Sequence, residues 1–423
     1  MLQHEENWIA LAEILGPRST LLKPLLETFH TPEDIFATGE EGLRAILPDV
    51  GAGLIASLAG KRTAESARRI ALWCHRSGVR ILTYDSEEYP ERLRALDEPP
   101  AVLYCKGSLQ GLADRAAVGI VGPRQLDAYG QQVTYKLSFE LSAAGAVIVS
   151  GMAQGADGVA TAAALAAGGR AIAVLGCGID ITYPRHHGKL MAECAECGAV
   201  VTEYPPGTPP NGYHFPVRNR LISGLSDALL VTEAGEGSGA LITARYAVIQ
   251  GRTLYAVPGD VTSPRSVGSN RLLQAGAQAA LCAEDILTPL LPRFHNALSE
   301  DRFREAMQYS ACDPRALAAY GVRAAEDKRG KLKEEKEEKR AKKRKREVPE
   351  PEETGQGEPA TVDTSALTPR QRELYGMLPA TPFTVDYLTE RGVPVAEAVG
   401  TLTVLEIYGL LASRPGGLFQ RNK

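Results

Sequence analysis

Between residues 116 and about 290, short apolar runs alternate with runs of helical length, and few folds accommodate that rhythm. The apolar runs lie at 116–121, 146–149, 171–175, 199–202, 228–232 and 254–257. Several of the intervening runs close on glycine, at Gly145, Gly168, Gly198 and Gly251, the residue that most readily ends a helix. Continuous apolar strands joined by amphipathic helices predict an α/β class protein, with a parallel sheet covered on both faces. Such sheets bind ligands in the loops beyond the carboxyl ends of their strands, often on helix N-termini.

The chain has 423 residues, more than one core usually organises, so several domains are expected. Residues 1–78 read as a helical domain, with apolar positions at helical spacing over 8–15, 21–29, 42–47 and 62–76. The core domain spans 79–290 and opens with two short apolar strands, 79–84 and 101–105, around a turn bearing Pro90, Pro99 and Pro100. A helical and charged linker occupies 291–366. Within it, residues 326–347 carry 12 Lys/Arg against 7 Asp/Glu, a net of +5. That composition reads as a solvated segment, with phosphate contact by 339–346 as the alternative. Residues 367–423 form a last small domain. Thr368-Pro-Arg-Gln371 is a capping box with proline at the first helical position, two further helices follow, and the tail reads as a β-hairpin. Three helices and a hairpin predict a winged helix.

A net charge of −4 limits any nucleic-acid site to a local patch of arginines, since phosphate contacts dominate such affinity. Seven scattered cysteines argue against a disulfide framework. Cys194 and Cys197 form the one C-x-x-C pair, late in a helix-like run, and read as structural thiols. The opening residues, with His4, Glu5 and Glu6, lack the pattern of a signal peptide, and no uninterrupted apolar stretch is long enough to span a bilayer. A cytoplasmic protein without membrane contact is expected.

The loops after the strands carry the candidate chemistry. Gly119-Ile-Val-Gly122-Pro-Arg124 puts Gly122 and Arg124 at the first strand's carboxyl end. Ser150-Gly-Met-Ala-Gln-Gly-Ala-Asp157, Gly176-Cys-Gly178 and Glu236-Gly-Ser238-Gly239 are rich in small residues, so their backbone N–H groups can cradle phosphate. In Phe215-Pro-Val-Arg218-Asn219-Arg220, Pro216 suits a helix start, which would put both arginines in the first turn. Residues two apart do not share a helix face. One arginine is therefore expected to contact phosphate while the other braces a neighbouring loop or carboxylate. Asp157 reads as a helix cap. The G-x-G-x-x-G fingerprint, the P-loop, the G-x-S-x-G elbow and the H-E-x-x-H zinc pattern are all missing. No catalytic residue, metal or cofactor is expected; phosphates would be held, not cleaved.

Together these segments resemble the DprA/Smf DNA-processing family over nearly the whole chain. The resemblance runs through Tyr89-Pro-Glu-Arg-Leu, Glu98-Pro-Pro-Ala-Val-Leu-Tyr, Val121-Gly-Pro-Arg124, Gly155-Ala-Asp157 and Leu175-Gly-Cys-Gly-Ile-Asp180. It continues through Phe215-Pro-Val-Arg-Asn-Arg, Ser238-Gly-Ala-Leu-Ile-Thr-Ala244 and Val257-Pro-Gly259. It implies an N-terminal helical (SAM-like) domain, an extended Rossmann-like core and a C-terminal winged helix. It also implies binding and protection of single-stranded DNA, homodimerisation, and loading of the RecA recombinase during natural transformation (competence) or related recombination. Binding is expected to be sequence-tolerant, because the expected contacts are to phosphates. By the same resemblance the DNA-binding residues are Gly122, Arg124, Arg218, Asn219, Arg220, Ser238 and Gly239, with Arg170 and Lys189 as further candidates. Leu272 and Leu273 mark the expected dimerisation helix.

Two positions depart from the family pattern. Pro123 stands where a small hydroxyl residue is usual, and Thr161 where histidine is usual. Two other readings compete. A nucleoside-monophosphate phosphoribohydrolase of the LOG group would need P-G-G-x-G-T-x-x-E near Gly235-Glu-Gly-Ser-Gly239, and this chain has no Pro-Gly-Gly there. A pure adaptor would leave the arginine cluster structural. The winged helix is expected to have a protein-contact or autoregulatory role and not to grip duplex, because its third helix has Glu397 and Glu406 but no Lys or Arg.

Overall fold

The computed structural model describes residues 2–60, 64–312, 314–322, 367–407, 410–414 and 418–421. The charged segment 326–347 lies outside them. The chain divides into two compact units, Met1–Glu335 and Lys336–Lys423.

The first unit is built on a nine-stranded sheet: β1 (Arg80–Thr83), β2 (Val102–Gly107), β3 (Ala117–Val121), β4 (Val147–Ser150), β5 (Ala171–Val174), β6 (Ala199–Thr202), β7 (Ala228–Val231), β8 (Thr253–Ala256) and β9 (Gln278–Ala279). Their spatial order is β1-β2-β6-β5-β4-β3-β7-β8-β9. From β6 to β9 all pairings are parallel. The β1–β2 hairpin joins the free edge of β6 antiparallel, with Tyr104 opposite Thr202. Successive residues point to opposite faces. Val118 and Ile120 accordingly enter one hydrophobic cluster while Ala117 and Val121 enter the other. Both faces of the central strands β3 to β7 are buried, which is why those strands are apolar at nearly every position.

The N-terminal helices α1 (Leu2–Leu15), α2 (Leu22–Phe29), α3 (Pro32–Ala37), α4 (Glu40–Ile46), α5 (Ala52–Ala59) and α6 (Ala64–Arg76) pack around fully buried Trp8, Ile9 and Leu11. Periodicity alone does not announce α3 and α5. Thr31 starts α3 by accepting the Asp34 N–H, with Pro32 at the first helical position, a local signal stronger than its six-residue apolar pattern. The sheet is covered by α7 (Glu91–Arg94), α8 (Ala128–Ala143), α9 (Ala156–Ala166), α10 (Gly188–Cys197), α11 (His214–Leu225), α12 (Gly239–Ile249), α13 (Val267–Gln274) and α14 (Glu284–Phe294). Two short helices, α15 (Glu300–Ala306) and α16 (Pro314–Ala319), follow.

The second unit holds helices Pro369–Met377, Asp386–Thr389 and Val395–Ile407, then the antiparallel hairpin Leu411–Arg414 with Leu418–Arg421. Thr368 makes both bonds of its capping box, and Leu374, Leu388, Leu402 and Leu405 form the centre of its core. This is a winged helix. Among the described residues no helix is long and apolar enough to cross a membrane.

Candidate nucleic-acid interface

The strand order reverses between β3 and β7, because β4, β5 and β6 lie on one side of β3 and β7, β8 and β9 on the other. Loops diverge at such a switch point and leave a crevice beyond the carboxyl ends of the strands. A cavity of about 790 Å³ opens there. Gly122, Pro123 and Arg124 from the β3 loop line it, with Phe215, Arg218 and Asn219 from α11, and Ser238 and Gly239 at the start of α12. Six of the residues expected from the sequence are thus brought to one place: Gly122, Arg124, Arg218, Asn219, Ser238 and Gly239.

Each contributes differently. Arg124 is exposed, its guanidinium lies 5.1 Å from the centre of the Phe215 ring, and among the described residues it has no ion-pair partner. Arg218 is buried beneath the opening, 3% exposed. Its Nη1 donates to the carbonyls of Gly151, at 2.6 Å, and Val174, and its Nε donates to Asn219 Oδ1 at 3.2 Å. Burial pulls the Arg218 pKa down and the neighbouring Asp157 pulls it back up. Asn219 also donates to the Gly239 carbonyl at 3.5 Å, tying α11 to the start of α12. Ser238 caps α12, its hydroxyl accepting the Ala240 N–H at 3.3 Å. The N-terminal end of that helix adds partial positive charge at the cavity wall.

The structure corrects several expectations. Helix α11 starts at His214, ahead of Pro216, so Arg218 and Arg220 are its fifth and seventh residues and lie beyond the first turn. The cause is Asn211, whose side chain accepts the Tyr213 N–H at 3.2 Å and whose carbonyl accepts that of His214 at 3.0 Å. Arg220 does not line the cavity. It is 2% exposed and holds Glu203 in a bidentate pair, Nη1 to Oε1 at 2.7 Å and Nη2 to Oε2 at 2.6 Å. Arg170 directly precedes β5 and therefore lies at the amino edge of the sheet. There it donates to the carbonyls of Gln110 and Ser108 at 3.0 and 2.9 Å. Lys189, second in α10, is outside the cavity, 3.7 Å from Glu193 and 5.3 Å from the Tyr320 ring centre. Asp157 caps nothing. It accepts the Ala153 N–H at 3.3 Å and closes the loop before α9.

One cationic wall residue escaped sequence reasoning. Arg265 lines the cavity beside Gly235, donating to the Gln125 carbonyl at 2.5 Å and lying 3.8 Å from Glu233. It follows β8, the strand next to β7, which was the available signal. Leu272 and Leu273 are half-buried on α13, Leu272 against the core. Cys194 is buried, with its thiol pushed up to about 12 by desolvation, whereas Cys197 is exposed and both are free thiols. Among the described residues no cluster of three His, Cys, Asp or Glu could hold a metal ion.

Comparison with known proteins gives concordant results. Residues 80–290 match the family model of DNA recombination-mediator protein A, and residues 358–417 match that of the DprA winged helix domain. DNA processing protein DprA of Bacillus subtilis (strain 168) is 43% identical over 216 residues, covering 51% of this chain and 73% of that protein. Protein Smf of Synechocystis is 29% identical over 420 residues, 98% of both. The X-ray structure of DNA processing protein A (DprA) from Streptococcus pneumoniae overlays 67% of this chain and 97% of that one, at 30% identity and a TM-score of 0.53.

Proposed function

The chain belongs to the DprA/Smf family of DNA recombination mediators, and we propose that it binds single-stranded DNA in the cavity at the switch point of its sheet. Family members are DNA-processing mediators, not enzymes. The observation that carries the reading is the pairing of exposed Arg124, stacked on Phe215, with Arg218 buried below the same opening. A cationic rim over an aromatic face suits a phosphate and its adjoining base, and neither contact reads sequence. The recess favours a single strand, whose backbone can bend into a concave site that a stiff duplex spans. Gly122, Asn219, Ser238 and Gly239 complete the proposed DNA contacts, and Arg265 joins them.

Membership of the family supports a wider proposed role. The protein protects the strand and helps load RecA recombinase during natural transformation or related recombination, working in the cytoplasm as a homodimer through α13 around Leu272 and Leu273. We assign DNA binding to 79–290, scaffolding to 1–78, a connecting role to 291–366, and a protein-contact or autoregulatory role to 367–423.

Fluorescence anisotropy with labelled single-stranded and duplex oligonucleotides over a salt series tests this. Strand-preferring, salt-sensitive binding that Arg124→Glu/Arg218→Glu abolishes is expected. Equal binding by wild type and the double variant would move the site elsewhere, and release of free base from AMP would revive the phosphoribohydrolase reading.

A further inference from the structure

Met152 is completely buried and has a φ of +57°, a left-handed conformation that side-chain-bearing residues avoid. The other two described non-glycine residues with positive φ, Arg18 and His30, are exposed. Something must hold Met152 in place, and the candidate contact is specific. His187, fully buried at the end of the 3-10 turn Arg185–His187, has its Nδ1 3.0 Å from the Met152 carbonyl oxygen. A carbonyl only accepts, so the ring proton sits on Nδ1. Burial keeps the ring neutral, its pKa lowered to about 4. Nε2 is buried with no hydrogen-bond partner among the described residues. An apolar side chain would bury more cheaply at this position, so the Nδ1 bond is what the histidine supplies. The ring also needs Gly158, where an added Cβ would come 2.6 Å from Cε1.

The strained residue adjoins the site. Gly151 gives its carbonyl to Arg218 Nη1 at 2.6 Å, and a Cβ at Gly151 would sit 2.6 Å from the Arg218 Cζ. On the other flank, the Ala153 N–H goes to Asp157, whose charge supports that of Arg218. The 150–153 loop is therefore the cradle of the guanidinium, and His187 grips it at its strained point.

We propose that His187 is a positioning residue for DNA binding, clamping Met152 in its left-handed conformation so that the Gly151 carbonyl fixes Arg218 at the base of the cavity. The inference rests on the reading that DNA occupies that cavity.

Anisotropy titrations of the full chain with an oligothymidylate over a salt series test it, with thermal melts confirming that each variant is folded. His187→Leu should weaken binding about tenfold and lower the slope of log K against log salt by about 0.7, one single-strand phosphate contact. His187→Asn, whose amide can replace the Nδ1 donor, should stay close to wild type, and His187→Gln should fall between the two. Adding Met152→Gly to His187→Leu should recover most of the affinity, because glycine adopts this φ without a clamp. Wild-type binding by His187→Leu, while Arg218→Ala is impaired, overturns the inference and leaves the cavity reading standing. Failure of Met152→Gly to rescue, with an unchanged salt slope, overturns it too by making the role of His187 merely structural. Wild-type binding by Arg218→Ala would overturn the cavity reading itself.

Discussion

Arg220 and Glu203 face each other in a buried, bidentate ion pair, with both side chains under 5% exposed. Two residues away on the same helix, Arg218 points into the cavity, so neighbouring arginines of one motif serve separate ends. Removing one partner of such a pair strands a buried charge, which costs about 3–5 kcal/mol. Arg220→Met should therefore lower the denaturation midpoint sharply in a urea titration. The fraction that remains folded should bind single-stranded DNA with unchanged affinity. Loss of DNA binding without loss of stability would assign Arg220 to the interface instead.

Arg124 should behave in the opposite way. It is exposed and has no ion-pair partner among the described residues, so Arg124→Ala should change stability by less than about 0.5 kcal/mol. Its phosphate contact should vanish, weakening strand binding and reducing the salt slope by about 0.7. Melting curves beside anisotropy at three salt concentrations read both quantities at once.

The contrast between these arginines marks how far sequence reasoning reaches. Continuous apolar runs bounded by glycine specify buried parallel strands, because only a sheet covered on both faces hides every side chain of 228–231. The expectation that one arginine of the pair would brace a carboxylate agrees with what Arg220 does. Which arginine it would be depended on where α11 begins. That start is set by the Asn211 side chain, three residues ahead of His214, a single polar contact without periodicity. The place of Arg170 in the sheet is legible in the sequence. A residue directly before a parallel strand lies at the amino edge, opposite the ligand-binding edge. The antiparallel attachment of β2 to β6 is a tertiary pairing across more than ninety residues, and local pattern carries no trace of it. Strand β9, two exposed residues long, is too short to leave a pattern of its own.

The winged helix offers a test of its own. Its third helix, Val395–Ile407, carries Glu397, and Arg370 is held by Glu397 and Glu373 at 2.8 Å each, so this basic residue is neutralised locally. A recognition helix lacking cationic side chains has little to offer B-form phosphates or base edges. Deleting 367–423 should leave both single-strand and duplex affinity within about twofold of the full chain, by the same anisotropy assay. A large loss of duplex binding alone would show that the module grips DNA.

His187 also makes stability depend on pH in a definite direction. Burial, with neighbouring His186 adding to it, lowers the ring's pKa from 6.5 to about 4, against the opposing bond to Met152. Between those values the unfolded chain takes up a proton that the folded chain refuses, so stability rises with pH through this window. The contribution is complete above about pH 6.5 and is lost as pH falls towards 4. At 1.36 kcal/mol per unit, its upper bound is about 3 kcal/mol. Asp157 works the other way, since burial raises its carboxyl pKa and protonation then favours the folded state. Subtracting the urea stability of His187→Asn from that of wild type, at each pH, removes this and every other shared titration. The difference should fall by up to about 3 kcal/mol between pH 7 and pH 4. A difference that stays flat across that range would mean that the ring titrates normally in the folded protein, and the claim that burial holds it neutral down to about pH 4 would have to be abandoned.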